Sequence, residues 1–238
     1  MFSLLPRRRP RAWLLLPLAG AALAACISPA LAEDRADTER APARLVTGNV
    51  IVSPADPAAR IVLPEGVRYL GTRRWDLRGI ADADLHLFVE QDDDGRAVRG
   101  YWIQFEQYLP SAPDARYQPI SGGDPVALGR MRFHTRTRYG PGRPVAPPPG
   151  SELEKVAELL DASGIEVPAE TMSVTFHAVI GEAARKELLI IYFEDLSSAG
   201  LTRAGLDAED GHGPLTDRLQ KIAIERAQAR ISVEPESK

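Results

Sequence analysis

With 238 residues, the chain is long enough for one or two domains, and its 44% hydrophobic and 26% charged residues are ordinary for a globular protein. The formal net charge is −4, and it falls by four more if Arg7, Arg8, Arg9 and Arg11 are lost with a leader that contains no acid. An acidic chain lacks the basic footprint of a general nucleic-acid binder, so nucleic acid is excluded as a partner.

Residues 1–32 read as an export signal. A basic cluster precedes an apolar run from Trp13 to Ala25, which has the length of a signal core and is short for a membrane span. Two cleavage sites compete. Leu23-Ala24-Ala25-Cys26 resembles the lipobox of bacterial lipoproteins, in which the cysteine is lipidated. Ala30-Leu31-Ala32 fits the small-x-small site of ordinary secretion, with Pro29 just before it. If Cys26 is lipidated, the resemblance implies an outer-membrane address, because Ile27 rather than aspartate follows. The arginine cluster lacks the Phe-Leu expected after a twin-arginine pair. The expected location is therefore the periplasm or, as a lipoprotein, the outer membrane. Cys26 is the single cysteine, so the mature domain has no internal disulfide and no thiolate nucleophile or metal ligand.

Residues 33–43 are polar and aperiodic and read as a flexible tether. A single domain is expected over 44–233. Leu45–Ser53 is β-rich, Arg60–Leu63 is a short apolar run, and Val67–Leu77 alternates as a strand. Two alternating runs, Asp84–Gln91 and Arg96–Leu109, flank Asp92-Asp93-Asp94-Gly95 and predict a hairpin. Pro110–Asp124 is a loop. Leu128–Tyr139 alternates, with Met131, Phe133, Thr135, Thr137 and Tyr139 on one side and Arg130, Arg132, His134, Arg136 and Arg138 on the other. Residues 140–150 form a Pro/Gly-rich linker. Ser151-Glu152-Leu153-Glu154 is a capping box, and Gly164 closes the helix that follows.

A second hairpin spans Thr171–Ile180 and Glu187–Leu196. Its return run is apolar on both faces and predicts a central strand covered on both sides. Ala199–Leu206 reads as a turn or short helix. Leu215–Ile231 reads as the last helix, buried through Leu215, Leu219, Ile222, Ala223 and Ile231. Residues 234–238 are expected to fray. The fold class is α+β: an antiparallel sheet built from hairpins, with a C-terminal helix and one further helix packed on it.

The first hairpin admits two registers. A two-residue loop pairs Leu87 with Trp102. A three-residue loop with Gly95 in a left-handed bulge pairs Leu87 with Tyr101 and Leu85 with Ile103. The second separates an apolar face from an amphipathic one made of His86, Phe88, Glu90, Trp102, Gln104, Glu106 and Tyr108, and pattern favours it. Trp102 and Tyr108 are costly to expose, while Gln104 and Glu106 are costly to bury unsatisfied. A ligand groove meets both needs, with Trp102, Gln104, Glu106, Tyr108, His86 and Phe88 as its candidate lining. The alternative is a helix or loop packed over that face.

The chemistry-bearing signatures are sparse. No phosphate-cradling glycine loop, GxSxG elbow or HExxH pair occurs, and His86, His134, His177 and His212 lack ligand-like spacing, so neither metal nor cofactor is expected. The Asp92–Asp94 run resembles part of a calcium loop, but the closing acid falls at Tyr101, so it reads as a turn. Glu106 is a candidate acid or base, with His86 or Glu194 as partner. Arg130, Arg132, Arg136 and Arg138 form a candidate anion-binding face. The leading expectation is a non-catalytic envelope domain that binds an apolar or amphipathic ligand or an envelope protein, reaching the membrane only through Cys26. Two alternatives stand beside it: a carboxylate- or histidine-dependent envelope hydrolase, and an assembly factor docking through the arginine face.

Overall fold

The structure, a computed structural model, describes residues 40–120 and 125–235. The export signal, including Cys26, and tether residues 33–39 lie outside the described residues. The elements run β1 (Leu45–Thr47), β2 (Val50–Ser53), β3 (Ala59–Val62), β4 (Arg68–Leu77), β5 (Ala81–Gln91), β6 (Ala97–Tyr108), β7 (Val126–Leu128), β8 (Met131–Pro141), α1 (Glu152–Ser163), β9 (Glu170–Ile180) and β10 (Lys186–Asp195). A 3-10 turn at Leu196–Ala199 follows, then α2 (Arg203–Asp207), α3 (Pro214–Gln228) and β11 (Ser232–Pro235). The architecture is mixed α+β and mostly sheet. Two antiparallel sheets form: a large one in the order β4-β5-β6-β10-β9-β8-β7 and a small one in the order β1-β2-β3-β11.

The small sheet was not foreseen as a separate layer. Leu45–Ser53 is a hairpin rather than one strand, because Gly48 takes a left-handed φ of 59° and Thr47 pairs with Val50. The segment expected to fray from Glu234 remains strand through Pro235, paired to Arg60 and Ala59 of β3. Tether residues 40–43 are held as well. The Arg40 amide donates to Arg74 O, and the Ala43 amide donates to the buried carboxylate of Asp84.

Each face of the large sheet has its own cover. On one face, Phe88, Tyr101, Ile103, Phe105, Leu188 and Ile190 share a core with Ile51, Ile61 and Val233 of the small sheet and Leu219, Ala223 and Ala227 of α3. On the other, Val156, Leu159 and Leu160 of α1 pack with Trp75, Leu85 and Leu87. The first turn of α1 is fixed as the capping box predicts: Ser151 Oγ accepts from the Glu154 amide. The reciprocal bond comes from the Gly150 amide, one residue earlier than the box would place it. Gly164 closes the helix with φ 65°.

The first hairpin holds a correction. Its turn is the predicted three-residue loop: Gly95 is left-handed at φ 81°, and Asp92 Oδ1 accepts from the Asp94 and Arg96 amides. Gln91 then pairs with Ala97, but Glu90 pairs with Arg99, so Val98 is an extra residue on β6. This bulge moves the register by one. Leu87 faces Trp102 and Leu85 faces Gln104, as in the register that the pattern argument rejected. An uninterrupted ladder with one buried face would favour the other register, whereas Ala83–Val89 is buried on both faces and tolerates either. His86 and Phe88 therefore lie on the face opposite Trp102, Gln104, Glu106 and Tyr108.

The arginine run is also redrawn. Leu128 belongs to β7, and Arg130 sits in the turn before β8, its amide donating to Val233 O. Arg132, Arg136 and Arg138 remain together on one exposed strand face with half-buried His134. Among the described residues none of these arginines has an acidic partner, because the β9 residues opposite Arg136 and Arg138 are Thr175 and Ser173.

Candidate functional site

α1 covers the β4–β5 side of its face and leaves the middle of the sheet open. β10 lies between β6 and β9, as its apolar run predicts, but it is not covered on both sides. Leu188, Ile190 and Tyr192 are buried, whereas Leu189, Ile191 and Phe193 are only half-buried. Leu189 and Ile191, with Trp102, Thr175 and Ser173, line the floor of a groove of about 550 Å³. Phe193 packs against Gly100, where a Cβ would lie 1.9 Å from the Phe193 Cζ.

A hydrogen-bonded polar chain crosses the groove. Trp102 Nε1 donates to Gln104 Oε1 at 2.8 Å, and Gln104 Nε2 donates to Glu106 Oε1 at 2.5 Å. Tyr117 Oη donates to Glu106 Oε2 at 3.0 Å. Glu187 lies directly across the ladder from Glu106. Its Oε2 is 2.8 Å from His177 Nε2, and His177 Nδ1 accepts from the Ile120 amide at 3.1 Å. Nδ1 is thus an acceptor, which leaves Nε2 to carry the proton toward Glu187. Gln104, Glu106, His177 and Glu187 are all buried, so each of these bonds compensates lost hydration.

Tyr117 comes from the loop after β6. Arg185 shapes that loop by donating to the carbonyls of Leu109, Ala112 and Pro113, and the Tyr117 amide donates to Ala184 O. The Tyr117 ring stacks on Tyr108 with centroids 4.1 Å apart, which closes one end of the groove with aromatic surface. Burial, and then the neighbouring Glu187, push Glu106 up to about 8. Burial also pushes the Tyr117 phenol up, helped by the two glutamates. Glu106 therefore keeps its proton to higher pH than an ordinary carboxyl group, and it does so beside a second carboxyl group. Such a pair can receive a cation or pass a proton.

The structure thus brings together Trp102, Gln104, Glu106 and Tyr108 and places Arg138 on the margin. It separates the rest. His86 is fully buried on the opposite face, where its Nδ1 shares a 3.0 Å hydrogen bond with Tyr69 and its Nε2 is 3.4 Å from Asp84. Phe88 is core. Glu194 also lies on that face, accepting from Tyr192, Ser198 and Arg226. Neither His86 nor Glu194 can act with Glu106; Glu187 is its neighbour. Arg130, Arg132 and Arg136 do not line the groove. Sequence reasoning missed Glu187, His177 and Tyr117. Glu187 was legible as the start of the same alternation as Leu189 and Ile191, and Tyr117 as a lone aromatic in a proline-rich loop.

Among the described residues no three His, Asp or Glu side chains converge to hold a metal ion, and no helix is long and apolar enough to cross a membrane. No family model, curated protein or solved structure matches the chain.

Proposed function

We propose that the chain is an exported protein of the bacterial envelope, periplasmic or held at the outer membrane through Cys26. Its domain binds an apolar or amphipathic small molecule in the groove on the large sheet. Export rests on the basic and apolar leader with its two cleavage motifs. Binding rests on one observation: half-buried Trp102, Leu189 and Ile191 lie open beside a buried, hydrogen-bonded polar chain. Apolar area left in water is unfavourable by roughly 25 cal/mol per Å², and a ligand's hydrocarbon portion recovers it. The polar chain supplies the few oriented groups that such pockets use to fix a ligand.

Octanol is a suitable first probe. Its binding should shift the fluorescence of Trp102, and Ile191→Arg, which puts a charge on the groove floor, should weaken binding by at least about tenfold. Trp102→Phe identifies the responding indole, because Trp75 is buried under α1. Octanol affinity unchanged by Ile191→Arg would overturn the reading.

A further inference from the structure

Glu106 and Glu187 are adjacent, largely buried and on the floor of a groove, yet among the described residues neither meets a lysine or arginine. Glu106 accepts from an amide and a phenol, and Glu187 accepts from a histidine whose other nitrogen is already occupied as an acceptor. Elsewhere in the domain, buried acids do have a basic partner: Asp84 meets Arg44, and Glu194 meets Arg226. Burying carboxylates without a counter-charge is unfavourable, and a cation brought by a ligand would relieve it. Among the described residues no hydrogen bond is made to Glu187 Oε1, so this oxygen is free to accept one.

We propose that the groove recognises an organic ammonium ion carrying an apolar chain, its N–H groups donating to Glu106 and Glu187 and its chain lying along Trp102, Leu189 and Ile191. This rests on the groove being a ligand site at all. An ammonium group is complementary in charge to the glutamate pair, and Trp102, Tyr108 and Tyr117 present aromatic surface that also favours a cation. An anionic amphipath would meet the two acids instead. Charge arriving at the pair favours ionised Glu106, so binding near neutral pH releases a proton to the buffer. Other ionisable groups surround the pair. His177 faces it from β9 and Tyr117 from the loop. Glu152 of α1, Arg78 after β4 and Arg138 of β8 stand at the margin. The two arginines are exposed and solvated, so they weaken the field at the floor only modestly.

The test compares octylammonium, octanol and octanoate by calorimetry, in phosphate and in Tris at pH 7. Octylammonium should bind at least about tenfold tighter than octanol, with a buffer-dependent heat that reports proton release, and octanoate should bind most weakly. The tenfold advantage should disappear in Glu106→Gln/Glu187→Gln, whose octanol affinity reports that the groove is intact. If octanol or octanoate binds as tightly as octylammonium, or if the double variant keeps the preference, the ammonium assignment is overturned and the groove reading survives. If none of the three binds, both are overturned.

Discussion

At the scale of single residues, Glu106 is where groove chemistry and folding meet. Its carboxyl is held near 8, above the ordinary 4.5, by burial and by Glu187. Between those values the folded chain keeps a proton that the unfolded chain has released. This contribution is therefore full below about 4.5 and is lost as pH rises through about 8, by up to about 1.4 kcal/mol per pH unit. Glu106→Gln cannot ionise and escapes the loss. Its urea midpoint should gain on the parent's between pH 5 and pH 8, by on the order of 1 kcal/mol or more once converted to free energy. A difference that stays constant with pH would show that the carboxyl titrates normally. Asp84 is the contrasting case. Burial pushes its carboxyl up, but His86, the Ala43 amide and Arg44 outweigh burial and hold it below the usual range.

At the scale of elements, the decisive feature is the bulge at Val98. The turn at Asp93-Asp94-Gly95 enforces one register, and one extra residue on β6 converts it to the other. Everything beyond Arg99 depends on that shift. With it, Tyr101, Ile103 and Phe105 enter the core, and Trp102, Gln104 and Glu106 reach the groove. Deleting Val98 should force β6 either to slip against β10, breaking pairs such as Ile103 with Ile190, or to turn Gln104 and Glu106 into the core. The expected outcome is loss of cooperative unfolding and of near-ultraviolet circular dichroism. A deletion variant that unfolds cooperatively at the parent's urea midpoint would show that the bulge does not set the register.

At the scale of the whole molecule, the last helix is tied to the large sheet by ion pairing as well as by apolar burial. Arg226 of α3 donates to Glu194 Oε1 at 2.6 Å and to Ser198 Oγ at 2.8 Å, and Glu194 is only 1% exposed. Arg226→Ala leaves that carboxylate with Tyr192, Ser198 and a longer approach from Arg99 at 3.5 Å. It should cost about 1–3 kcal/mol in urea unfolding, because a buried charge loses one of its hydrogen-bond donors while the charge stays. Adding Glu194→Gln should recover part of the loss. A cost under about 0.5 kcal/mol for Arg226→Ala would mean that α3 is held by Leu219, Ala223 and Ala227 alone.

Local chemistry was legible in the chain itself. The acidic turn ending in Gly95, the cap at Ser151, the close at Gly164 and the central strand with its doubly apolar run all follow from dihedral preference and side-chain period, which act over a few residues. The aromatic and polar set from Trp102 to Tyr108 was recognisable as a surface in need of a partner for the same reason. Tertiary structure alone decided which face that set would occupy, because a one-residue bulge inverts every side chain without altering the pattern of the strand. It also decided that Glu187 rather than Glu194 or His86 would stand beside Glu106. The register between β6 and β10 is set by packing over a separation of some eighty residues, and no local preference reports it.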